Sequence, residues 1–181
     1  IYSNYKKAAT MGVTIHFEGR LKCEQDFDDV MSKATDFATQ NKMAFRKFEE
    51  NEKLLLRVKN QEKWDYKGST KGIRIEPAEN CDPFNLEFDA DNYIQEYSKT
   101  QFADINIHVA ITEFLKTLVT NFEDLKVTDE GEYWETGNKE ILISHIKTCF
   151  HQMEWAKQND PSLDGPFIIG DGRIADLKKV E

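Results

Sequence analysis

Ile107, Ile111, Phe114, Leu115, Leu118 and Phe122 recur at the spacing of one helix face. Val13, Ile15 and Phe17, like Phe84, Leu86 and Phe88, instead alternate with polar residues, as in a strand with one dry side. A chain that changes its hydrophobic period in this way needs both a helical layer and a sheet. Its 181 residues, 39% hydrophobic and 12% aromatic, suffice for one packed domain and exclude a disordered or fibrous chain.

The remaining segments fill in an order. Phe27, Val30, Met31, Ala34, Phe37 and Ala38 make a first amphipathic helix, with Glu24, Asp26, Asp28 and Asp29 at its positive end. Phe45 to Phe48 reads as a short strand or turn, Leu54 to Val58 as a β-run, and Lys67 to Thr70 as a turn. Ile73 and Ile75 open a strand that Pro77 ends, and Phe84 to Asp89 forms another with a wet face. The long helix spans 103–122. Leu125 to Val127 is a short strand, and Glu132 to Trp134 is a candidate for one more. Leu142, His145, Ile146, Cys149 and Met153 mark a third helix ending near Asn159.

The order β-α-β-β-β-β-α, followed by a short strand and a third helix, predicts an α+β fold of two layers. Its sheet is mainly antiparallel, because short turns join neighbouring strands, and the helices cover one face. The order is similar to one repeat of the TATA-binding-protein-like or the helix-grip architecture, a resemblance of element order alone. Residues 1–10, ahead of Met11, read as a leader or a remnant foreign to the domain, residues 11–160 as the domain, and residues 161–181 as a C-terminal hairpin or tail. In that tail Phe167 to Ile169 and Ile174 flank Gly170-Asp171-Gly172.

Cys23, Cys81 and Cys149 are an odd, widely spaced set, which fits reduced thiols in a cytoplasmic protein. No apolar run approaches the roughly 20 residues of a membrane span. His145 and Cys149 have metal-ligand spacing, yet both belong to the apolar stripe of their helix, so no metal and no cofactor is expected. Asp89 to Tyr93 lacks the glycine and glutamate of an EF-hand, 68–72 lacks the spacing of a P-loop, and no GxSxG is present.

The formal charge is −9, and the chain beyond residue 80 carries the negative excess. Glu130, Glu132 and Glu135 surround Tyr133 and Trp134, an acidic and aromatic set suited to a basic protein partner. The leading expectation is therefore a protein-binding or regulatory module, as in immunity proteins and nuclease inhibitors. The alternative is a small-molecule pocket between the sheet and the long helix, with His16, Glu18, Tyr97 and His108 as its polar groups. The third is nucleic-acid binding through 42–74, where basic residues outnumber acidic ones around Phe45, Phe48, Trp64 and Tyr66. The net negative charge argues against that third reading.

Overall fold

Alternating polarity at the start of the chain produces β1 (Thr14–Arg20), with Ile15 and Phe17 buried and His16 exposed. The computed structural model describes residues 12–59 and 62–180. Helix α1 (Glu24–Gln40) follows and buries Val30, Met31, Ala34, Phe37 and Ala38, the stripe expected from the sequence. Then comes β2 (Ala44–Leu55), a single strand where two short segments were expected. Two-residue strands β3 (Val58–Lys59) and β4 (Glu62–Lys63) pair beyond it, and β5 (Tyr66–Glu76) returns along β2.

Lys67 to Thr70 is therefore strand, not turn. The glycines that suggested a turn mark close approach instead. A Cβ at Gly72 would overlap the Leu86 carbonyl on the neighbouring strand, and one at Gly68 would meet the Tyr66 ring. Strand β6 (Phe84–Asp89) follows, and then β7 (Tyr93–Lys99), which sequence patterning missed because Ile94 is its lone aliphatic residue. Asp89 turns the chain between them by accepting from the N–H groups of Asp91 (2.8 Å) and Tyr93 (2.9 Å). Apart from the two-residue strands β3 and β4, the order up to the long helix is the expected β-α-β-β-β-β-α, although two of its strands have different residues.

Helix α2 (Ile105–Leu118) starts at the Asp104 cap and runs into a 3-10 turn over Val119–Asn121. Strand β8 (Lys126–Asp129) precedes a one-turn helix, α3 (Tyr133–Thr136), where a strand was a candidate. Helix α4 (Lys139–Asn159) is capped by Asn138. The C-terminal segment is a hairpin of β10 (Phe167–Ile169) and β11 (Arg173–Ala175), inside a second short pair, β9 (Leu163–Asp164) and β12 (Lys178–Lys179).

The strands form two three-stranded antiparallel sheets, β2-β5-β6 and β7-β1-β8, which lie side by side along β6 and β7. Helices α1 and α2 cover one face. Phe37 stacks on Phe114 at 4.4 Å, and Phe114 meets Phe84 edge-on. Helix α4 adds a smaller cluster in which Leu142, Ile146 and Cys149 pack with Val13, Ile105 and Val109. This is the two-layer α+β arrangement expected from the sequence.

The opposite face departs from expectation. It was expected to be wet, yet Asn85, Glu87 and Asp89 of β6 are buried. At Glu87 and Asp89 the cause is an arm made of the end of β2 and the residues just after it, whose Lys53 and Arg57 reach the two carboxylates. Arg57 on that arm is 3% exposed and donates to Asp89 at 2.8 Å. The rings of Trp64, Tyr66 and Tyr93 surround its guanidinium at 5.5, 5.2 and 4.9 Å. Gln95 of β7 holds the arm a second time, through the N–H and the carbonyl of Val58, each at 2.8 Å.

Candidate functional site

Between the arm, the C-terminal hairpin and the polar face of the sheet lies a cleft of about 940 Å³. Strand register decides its floor, because directly opposed residues share a face. His16 opposes Tyr97 on one side and Thr128 on the other, and Glu18 opposes Gln95 and Lys126. Arg46, Arg74 and Asn85 form a second row across β2, β5 and β6. Leu54, Leu56 and Val58, respectively 57%, 76% and 62% exposed, give one apolar wall.

The cleft carboxylates are occupied. Glu18 accepts from the Tyr93 hydroxyl (3.0 Å) and Gln95 (2.7 Å). Glu87 accepts from Thr70 (2.7 Å) and pairs with Lys53 (2.8 Å). Burial pushes the Glu96 carboxyl above its ordinary range, although Arg173 binds it at 2.8 Å and opposes the shift. That arginine also lies 3.9 Å over the Tyr97 ring and donates to the Tyr97 carbonyl, so the C-terminal hairpin closes one end of the cleft. Beside it, burial raises Asp82 against the N–H groups of Ile174 and Lys99. His16 keeps about half of its side chain exposed, and partial desolvation on the cleft floor holds it below its ordinary value, with Glu130 acting in the other direction from 3.9 Å.

Of the four groups assigned to a pocket, His16, Glu18 and Tyr97 line this cleft. His108 does not. It lies on the helix side, 1% exposed, within hydrogen-bond reach of Thr100 Oγ1 at 2.7 Å and Asp129 at 3.0 Å. The connectivity is that of a nucleophile, histidine and carboxylate triad. All three groups are sealed inside the fold, so no substrate reaches them, and the network is structural. The space between sheet and long helix is filled by Ile111, Phe114, Leu115 and Leu118, so the cleft occupies the opposite face from the one expected.

The acidic segment is built differently from its sequence appearance. Asp129 accepts from the N–H groups of Gly131, Tyr133 and Trp134 and so caps α3. Burial disfavours its charge, but His108 and those N–H groups prevail and hold its carboxyl below the ordinary value. Tyr133 is buried and Trp134 is half-buried against the core, so neither presents a free aromatic anchor. Glu130 accepts from the Thr14 N–H at 3.0 Å. Glu132 and Glu135 are exposed, Glu132 lying 3.6 Å from His145.

In the basic segment Trp64 and Tyr66 enclose Arg57, while Phe45 is 41% exposed. Among the described residues no group of three or more His, Cys, Asp or Glu side chains could hold a metal ion, and no helix is long and apolar enough to cross a membrane. Sequence reasoning missed Gln95, Arg173 and the Arg46–Arg74–Asn85 row. Their signal lies in strand register, which needs β7 and the full length of β5 to be known. No protein-family model matches the sequence, and comparisons with curated proteins and with solved structures give no match.

Proposed function

We propose that the protein is a ligand-binding module whose site is the cleft over the polar face of the sheet. The observation that carries this reading is the shape of the cleft, which has a polar floor and an apolar wall within one concavity of small-molecule size. Its carboxylates already have partners, which suits them to shaping a site rather than acting as free general bases. A fragment screen read by amide chemical shifts tests it. Binding that moves His16, Tyr97 and Leu56 together supports the reading, and hits confined to other surfaces overturn it.

A second reading, a protein-binding module, rests on the free edge of β2. Among the described residues that strand pairs with β5 alone; it runs 12 residues and exposes Phe45 and Leu54. Such an edge suits a partner that adds a strand. Cross-links from a retained partner to 44–50 support this reading. Cross-links to Glu132 and Glu135 instead return the contact to the acidic loop.

A further inference from the structure

Arg46 and Arg74 are directly opposed on neighbouring strands and both face the cleft. Like charges in that position repel unless something neutralises them. Arg74 is partly neutralised, giving Nε to Glu76 at 2.7 Å and Nη2 to the Asp171 carbonyl at 2.6 Å. Among the described residues the Arg46 guanidinium has neither an ion pair nor a hydrogen bond. The next residue in the row is Asn85, which opposes Arg74 on β6. Its side chain is 8% exposed and its amide oxygen is buried without a hydrogen-bond partner. A buried amide with nothing to bind is costly, and rotation about χ2 turns its NH₂ group to an incoming acceptor.

The nearby carboxylates do not fill this place. Glu87 is held by Lys53 and Thr70, and Glu96 by Arg173. The same cleft ends at Leu54, Leu56 and Val58, aliphatic side chains that the arm holds out to solvent. The arm is fixed in that pose by Gln95 and Arg57.

We propose that the cleft binds an amphipathic anion, its acidic head on the Arg46–Arg74–Asn85 row and its hydrocarbon part along Leu54, Leu56 and Val58. The inference rests on the cleft being the binding site. The guanidinium pair recognises the planar or tetrahedral oxygens that carboxylates and phosphate monoesters share. The alkyl part removes the arm's aliphatic surface from water.

The test uses the full chain with decanoate, decyl phosphate and decanol below their micellar concentrations, plus acetate and inorganic phosphate as heads without tails. Calorimetry gives affinity, and amide and arginine Nε–H shifts give location. Decanoate or decyl phosphate is expected to bind with shifts at Arg46 and Leu56, more tightly than decanol and than either bare head. The tighter of the two acids assigns the head as carboxylate or phosphate. Arg46→Gln is expected to weaken the acid about tenfold and leave decanol unchanged, since a charge-assisted contact is lost. Leu56→Asp is expected to weaken both. Both side chains are exposed, so an unchanged Tm is expected to accompany the loss. Equal affinity for decanol and decanoate, or an Arg46→Gln variant that binds decanoate as before, overturns the acidic head while cleft shifts preserve the cleft as a site. No cleft shift from any probe or fragment overturns both.

Discussion

His108 and Asp129 meet at 3.0 Å behind α2, while Arg57 and Asp89 meet at 2.8 Å on the far side of the sheet, under a single arm of chain. Both pairs are buried, but they are supported differently. Asp129 receives three backbone N–H groups besides the imidazole, and that imidazole also reaches Thr100. Every neighbour there belongs to the body of the fold. Asp89 receives two N–H groups from its own turn, and Arg57 comes from an arm whose leucines face water. Its Nε is buried without a partner. The first pair holds helix, strand and loop together, whereas the second holds an arm down. Buried pairs of similar length thus differ in what their loss releases.

Asp129→Ala should show this most strongly, with a global loss of about 4 kcal/mol in urea unfolding, since it strands His108 and uncaps α3. A loss confined to the exchange of 129–136 amides would break the distinction. Arg57→Met should cost less, about 3 kcal/mol or below, and act locally. Hydrogen exchange should accelerate in 51–66 while β1 and α2 keep their protection. Uniform acceleration would make the arm part of the core.

Acid separates the two regions further. The folded pKa of Asp129 lies below its unfolded value near 3.8. Its stabilisation is therefore complete above that value and lost as pH falls through the lower, folded one. Asp129→Asn should flatten the acid limb of stability below the unfolded value of about 3.8. Asp82 and Glu96 act with the opposite sign, because burial raises them and protonation in acid relieves the cost.

A smaller effect is expected at His16. Its imidazole should titrate below 6.5, and Glu130→Gln should move it lower still, because burial lowers it and the Glu130 charge alone opposes that. NMR titration of the ring protons reads both, and an upward move would refute the assignment. Smallest of all, Leu56→Asp should change stability by less than about 0.5 kcal/mol, as the side chain is 76% exposed. A larger loss in thermal or urea unfolding would mean that the arm packs more tightly than Arg57 and Gln95 alone would hold it.

The helices and the core were legible in the sequence because periodicity reports burial directly. The stripes of α1, α2 and α4 match their buried faces at Phe37, Leu115 and Cys149. The strands of the cleft face were legible only in part. Gly68 and Gly72 look like turn residues, yet they sit in β5, Gly72 where the β6 backbone passes too close for a side chain and Gly68 beside the Tyr66 ring of its own strand. Strand β7 carries Tyr93, Gln95, Glu96 and Tyr97, whose polarity suits a cleft floor and hides the strand. His16, Glu18 and Tyr97 line one cleft and His108 lies on the other side of the sheet, a separation invisible in the sequence because position along a chain does not show which side of a sheet a helix covers. Tyr133 and Trp134 looked like surface anchors for want of the Asp129 cap that turns them inward.

The pairing of β1 carries a consequence for synthesis. Its two neighbours are β7, ending at Lys99, and β8, ending at Asp129. The β2-β5-β6 meander is made of consecutive chain and can assemble while the rest is still being translated. The strand made earliest must wait for both of its neighbours to leave the ribosome, its apolar side uncovered meanwhile. Completion of the second sheet is thus a late, long-range closure. A nascent chain that has emerged only as far as Asp89 would carry a finished first sheet beside an unpaired first strand, the nascent form most in need of a chaperone.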